Sequence, residues 1–358
     1  MSHVAPHHRR RLRERPVVAF LTALILIAAT FTGLSVGPFT SIASAADGNM
    51  TLTVTTIFVA QQVEMPIAGT VTGTVTIDWG DSSSSSVTTA GNVPHVYGSP
   101  GTYTVTIAGS FTHFGVCGSG GIDGVETFTA VTAWGNNGTI DFSCAFFNAT
   151  SLVSVPAALP TTTPIVSTAV MFYGATSFNQ NIGGWDTSSI VDMSYMFNGA
   201  TSFNQDISGW NTSNVVDMSS MFNDAISFNQ PIQMWDTSSV LDMYSMFTRA
   251  AVFNQSLSNW NIANVMTMAD MLDGTGLSTN NYSTTLIGWA AQHPQTNVVL
   301  GADGLVYDQS AVAARAALIS SYIWSISGDT FSPSPDPSTS TTSSSPDPGD
   351  VVIPQFAG

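Results

Sequence analysis

The sequence predicts a mainly β protein with short helical turns: an antiparallel β-sandwich, then a solenoid, then an α/β cap. Two patterns carry this expectation. From Met171 the chain repeats itself every 25 residues, and residues 50–112 alternate apolar side chains with Thr or Ser. Composition agrees with a folded chain, being 44% hydrophobic but only 8% charged. That charged fraction is far below the usual quarter, so Ser, Thr, Asn and Gly must carry solubility.

The first segment, residues 1–45, reads as a secretory signal peptide. Arg9, Arg10, Arg11, Arg13 and Arg15 precede an apolar run from Val17 to Ala29, and Ala43-Ser44-Ala45 supplies small residues at the cleavage position. Removing it leaves 2 basic and 22 acidic residues of the original 7 and 23. Nucleic acid is therefore excluded as a partner, because its binding depends on Lys and Arg at phosphates. The chain has no lysine, which removes Schiff-base and P-loop chemistry. The reading places the mature protein outside the cell or on a bacterial cell surface, with no transmembrane segment after cleavage.

Residues 46–130 form the expected sandwich. Val71–Ile77 and Gly101–Ile107 alternate as strands, and Asp78-Trp79-Gly80-Asp81, His95-Val96-Tyr97 and Pro100-Gly101 punctuate them. An even cysteine count in an exported chain permits a bridge between Cys117 and Cys144; two buried thiols is the alternative.

Residues 131–275 form the expected solenoid. Phe178, Phe203, Phe228 and Phe253 each precede Asn-Gln, and Trp185, Trp210, Trp235 and Trp260 follow in phase. Met193, Met218, Met243 and Met268, then Met196, Met221, Met246 and Met271, keep the same period. One coil cannot bury its apolar side alone, whereas stacked coils bury a continuous column. Asp206-Ile207-Ser208 suits a short strand with Ile inward. Val215–Phe222 suits a helical turn. Asn179, Asn204, Asn229 and Asn254 should form a buried amide ladder that satisfies turn carbonyls. Residues 276–328 should cap the column with two helices and a closing strand. Residues 329–358, rich in Ser, Thr and Pro, read as a disordered stalk.

Two family resemblances rest on these residues. Asp78-Trp79-Gly80-Asp81, with His95-x-Tyr97 and Pro100-Gly101-Thr102-Tyr103-Thr104-Val105, resembles the PKD domain, an immunoglobulin-like extracellular module. The unit Met196–Trp210 resembles the repeats of BspA-like leucine-rich-repeat surface proteins of bacteria. That resemblance implies a leucine-rich-repeat-like solenoid on a secreted or surface-displayed protein. Some members of the family are adhesins, and the family supplies no catalytic residues.

The residues themselves point away from catalysis. His95, His113 and His293 stand in no metal-ligand spacing. Asp192, Asp217 and Asp242 recur in phase and suit the start of the helical turn, with weak Ca²⁺ binding as a lesser use. Asp186, Asn211, Asp236 and Asn261 after Trp suit a turn that wants a short amide or carboxylate. The leading expectation is a non-enzymatic adhesion or binding protein with no cofactor, engaging an extracellular protein or glycan. Its candidate contacts are outward positions that differ between coils: Asn181, Asp206, Pro231 and Ser256, then Gly184, Gly209, Met234 and Asn259. One alternative is a water- or ice-ordering surface built on Thr187-Ser188-Ser189, Thr212-Ser213-Asn214 and Thr237-Ser238-Ser239. The other is a carboxylate-dependent glycoside hydrolase.

Overall fold

The structure is a computed structural model that describes residues 48–117 and 121–333. The expected signal peptide and most of the expected stalk lie outside the described residues. The fold is mainly β with few short helices. Six strands open it: β1 (Met50–Thr56), β2 (Gln61–Asp78), β3 (Ser84–Val87), β4 (Gly91–Tyr97), β5 (Gly101–Phe114) and β6 (Phe128–Ala133). They hydrogen-bond as one sheet in the order β3-β2-β5-β1-β6, with β4 also paired to β2. All six strands are thus linked by continuous hydrogen bonding. The reason is the length of β2 and β5, which at 18 and 14 residues outrun an ordinary strand. Register shifts at Ala68/Val71 and Thr72/Thr76 break their pairing, beside Gly69 and Gly73 at positive φ.

No linker separates the sheet from the coils. The amides of Phe111 and Phe114 at the end of β5 donate to the carbonyls of Asn137 and Asp141 in the first coil. A disulfide joins Cys117 to Cys144 across the same junction, with Cα atoms 5.4 Å apart. Phe114 packs on Phe146, ring centroids 6.1 Å apart, so the apolar core runs unbroken from sheet to coils.

The repeated units stack. Parallel bridges join Asp141, Ser167, Asp192, Asp217, Asp242 and Thr267 in one row. Trp185, Trp210, Trp235 and Trp260 lie in register, with centroid spacings of 6.5, 6.3 and 6.3 Å and interplanar angles of 6°, 4° and 6°. Phe178, Phe203, Phe228 and Phe253 stack alongside at about 6 Å. The eight in-phase methionines from Met193 to Met271 are all fully buried. They fill the column rather than offering thioethers to solvent.

Local structure within a coil differs from expectation in three ways. The inter-coil bridges run through Asp192, Asp217 and Asp242, not through Asp206–Ser208, which is not a strand. The Val215–Phe222 stretch is a hydrogen-bonded turn, not a helix. Some of its amides bond back within the coil (Met221 N to Met218 O), while others reach the next coil (Met218 N to Asp242 O). A helix would bond its amides internally beyond the first turn. The Asn ladder exists but is exposed to half-buried, and it accepts where donation to turn carbonyls was expected. Oδ1 of Asn179, Asn204 and Asn229 takes the backbone N–H of the asparagine one coil on, at 2.8–3.0 Å. The next coil's Gln amide donates to the same oxygen.

The column ends under α1 (Thr279–Ala290) and α2 (Val312–Ser321), with β7 (Val299–Gly301) pairing in parallel with β9 (Ser325–Ser327). Ser278 caps α1, accepting from the Asn281 amide. The cap runs past the expected boundary at 328. β10 (Thr330–Phe331) pairs with β8 (Val306–Tyr307), and Asp329 accepts from both Arg315 and Tyr282.

Candidate functional site

The outward residues expected as contacts occupy one corner of the coils. Asn181, Asp206 and Pro231 are exposed and Ser256 is half-buried; Gly184, Gly209, Met234 and Asn259 are exposed. Two short turns shape this corner. Asn181 Oδ1 accepts from the Gly183 amide and Asp206 Oδ1 from the Ser208 amide, both at 2.9 Å. Pro231 stands in the same place without an acceptor side chain, so the backbone turn persists while the chemistry changes. Coils meet closely here: a Cβ on Gly183 would lie 2.4 Å from the Asp206 carbonyl. Met234 is 76% exposed, the most solvent-exposed large apolar side chain among the described residues.

Beside this corner lies an open groove of about 340 Å³, formed where the irregular early coil departs from the 25-residue period. Leu159, Pro160, Pro164 and Ile165 make its apolar wall, and Gly184 and Asp186 its rim. Asp186 accepts the Ser188 amide and hydroxyl, bonds that hold its carboxyl below the usual range. Asn211, Asp236 and Asn261 make equivalent amide bonds two residues on. These four side chains shape turns.

The acidic row on the bridge positions was expected to start the helical turn. The structure buries Asp192 and half-buries Asp217 and Asp242. Each carboxylate accepts the amide two residues on, from Ser194, Ser219 and Tyr244. Burial pushes Asp192 up to about 7, helped by Asp217 nearby. Burial likewise raises Asp217, and raises Asp242 to about 6. The two arginines of the described residues bond elsewhere, Arg249 to Asp224 and Arg315 to Asp329. Among the described residues no group of three or more His, Cys, Asp or Glu is arranged to hold a metal ion. The weak Ca²⁺ site therefore has no donor cluster behind it.

In the hydroxyl row expected to order water, the threonines are buried, while Ser188, Ser189, Ser213, Ser238 and Ser239 are half-buried and Asn214 is exposed. Thr187, Thr212 and Thr237 are at most 1% exposed. Each donates its hydroxyl to the next coil, to the carbonyls of Asn211, Asp236 and Asn261. A buried hydroxyl with a protein acceptor satisfies itself there rather than binding ice.

One outward row escaped the sequence reading. Ile140, Val166, Val191, Val216, Leu241 and Met266 succeed one another; the Ile140 amide bonds to the Thr112 carbonyl on β5, and each later amide to the carbonyl one coil back. Leu241 and Met266 are 39% and 68% exposed. The in-phase pairs Val191-Asp192, Val216-Asp217 and Leu241-Asp242 are the signal that could have revealed it.

Residues 166–285 match the family model described as "Mycoplasma protein of unknown function, DUF285". That span holds the stacked aromatic units and the candidate corner, and the match fits a repeat family of the BspA-like type. No curated protein and no solved structure gives a significant match.

Proposed function

We propose that this chain is a secreted or cell-surface binding protein without enzymatic activity. Its stacked coils form a leucine-rich-repeat-like solenoid, preceded by a PKD-like, immunoglobulin-type module, and the solenoid engages an extracellular protein or glycan. One observation supports this above the rest. The inward positions are nearly invariant from coil to coil, while the exposed corner changes chemistry along the stack: Asn, Asp, Pro, Ser in one row and Gly, Gly, Met, Asn in the other. Packing explains the first pattern; it places no demand on the second, which is where a recognition surface acquires its specificity. Signal-peptide features upstream and Ser/Thr/Pro-rich sequence downstream agree with display outside the cell.

The test is attachment by cells displaying the full chain. Cells carrying Asp206→Ser, Pro231→Ser and Met234→Ser together should lose adhesion to a host or neighbouring cell while displaying the same amount of protein. Equal attachment by both would refute the proposal.

A further inference from the structure

One end of the N-terminal sheet carries exposed apolar side chains. There the β1–β2 turn carries Ile57, Phe58 and Val59, 67%, 65% and 71% exposed. Val96 on β4, 50% exposed and paired with Gln62, widens the patch. Three consecutive apolar side chains on a loop usually fold onto a neighbour to escape water. Here local bonds hold them out. Gln61 Oε1 accepts the backbone N–H of Ile57 at 2.9 Å and of Phe58 at 3.3 Å. Ala60 is left-handed, and the Thr56 hydroxyl reaches the Ser99 and Gly101 carbonyls on the adjoining turn. The tip lies just past the end of β1, and the coils join the sheet at its side, where Val153 N–H donates to the Thr129 carbonyl on β6, next to Phe128, the partner of Val54.

Shape and charge select the occupant. A convex tip inserts into something; it does not receive a ligand. The Ile57 and Phe58 amides are already taken by Gln61, so the tip presents apolar surface without directional hydrogen bonds. A hydrocarbon boundary accepts such surface without further specificity, whereas a protein pocket is read through placed polar groups. No residue from Thr55 to Gln62, or from Val96 to Thr102, is charged, although the chain has 23 acidic residues. Acid begins below the tip: Gln62 Nε2 donates to Asp123 at 3.1 Å, and exposed Glu126 lies two residues before Phe128, the partner of Val54. Such a collar is repelled by an anionic leaflet and tolerated by zwitterionic headgroups.

We propose that the Ile57–Phe58–Val59 tip inserts into the interfacial layer of a zwitterionic lipid bilayer. This contact is separate from any ligand of the coils, and either can fail without the other.

The test is flotation of the full chain with phosphatidylcholine vesicles. The protein floats with them, and Phe58→Asp lowers the bound fraction at least tenfold at an unchanged melting temperature. Ile57→Ser, a milder change, lowers it severalfold. Replacing a third of the lipid with phosphatidylglycerol weakens binding at low salt. Three results would overturn the proposal: no flotation with phosphatidylcholine, equal flotation of Phe58→Asp, or tighter binding to the anionic vesicles. Phe58-dependent capture by a protein, with no affinity for vesicles, would overturn it too.

Discussion

The N-terminal sheet and the stacked coils both bury tryptophan, and they satisfy its indole N–H in opposite ways. In the sheet, Trp79 Nε1 donates to Ser85 Oγ six residues away. Its ring stacks on His95 at 4.6 Å, and its carbonyl accepts from the Tyr97 hydroxyl. That constellation occurs once and closes on itself. In the coils, Trp210, Trp235 and Trp260 each donate to the carbonyl 28 residues earlier, that of Ile182, Ile207 and Ile232, at 3.0–3.1 Å. Every tryptophan therefore satisfies its neighbour's backbone, and each neighbour depends on the next. The sheet should confine a defect, and the column should pass it along.

Large-to-small replacement breaks the comparison most sharply. Trp210→Ala removes a stacked ring from between Trp185 and Trp235 and leaves the Ile182 carbonyl with the Trp185 amide alone. Trp79→Ala empties the sheet core. Each should cost about 3–5 kcal/mol. Amide hydrogen exchange separates them: Trp210→Ala speeds exchange in the coils on both sides, and Trp79→Ala leaves coil amides protected. Equal spreading from both sites would show that the two regions share one cooperative unit.

Next in size is the disulfide. Cys117–Cys144 spans the junction and closes a loop of 27 residues. Its loss should cost about 2–4 kcal/mol. Calorimetry of Cys117→Ser/Cys144→Ser should show a lower Tm. An unchanged thermogram would mean that the Phe111–Asn137 and Phe114–Asp141 amide bonds hold the junction alone.

A smaller effect concerns pH. The folded carboxyls of Asp192 and Asp242 titrate near 7 and 6, above their ordinary value near 4, because burial disfavours the charged form. The folded state therefore binds protons that the unfolded state releases. The stability this confers is complete below about pH 4 and is lost as pH rises through 6–7. Tm should be higher at pH 5 than at pH 8. Asp192→Asn, which keeps the acceptor for the Ser194 amide, should raise Tm at pH 8 and flatten the profile. A profile that falls toward acid between pH 8 and 5 would contradict the burial of this row.

The smallest change in stability belongs to Met234→Gln. With the side chain 76% exposed, its effect should stay within about 0.5 kcal/mol. If the corner binds, affinity changes while Tm does not.

The column was legible because its physics repeats. Phase alone placed Phe203, Trp210, Met218 and Met221 in the core, and the structure buries all four. What failed was direction within the coil. The period shows that Asp217 recurs but not which way its backbone bonds, so a turn wedged between two neighbours read as helical. Backbone conformation was only half legible. Each coil has two left-handed residues. One position carries Asn148, Gly174, Gly199, Asp224, Arg249 and Gly274, mostly types that tolerate positive φ. The other carries Cys144, Val170, Tyr195, Ser220, Ser245 and Asp270, with φ between 51° and 61°. No composition rule marks that second row, since stacking on both sides imposes the conformation. Thr187 was misplaced for the same reason: a threonine beside two serines reads as solvent-facing until the carbonyl of the next coil lies above it. In the sheet, the strands around Val75 and Val105 were legible from alternation. The single hydrogen-bonded sheet was not, because register shifts in β2 depend on partners distant in sequence.

The corner's role is tested most directly by binding of the purified full chain to an array of glycans and extracellular-matrix proteins, beside the Asp206→Ser/Pro231→Ser/Met234→Ser variant. Recognition through the exposed corner predicts saturable binding to one class of target by the native chain, lost by the variant at an unchanged Tm. Undiminished binding by the variant, or no binding by the native chain to any target, would contradict it.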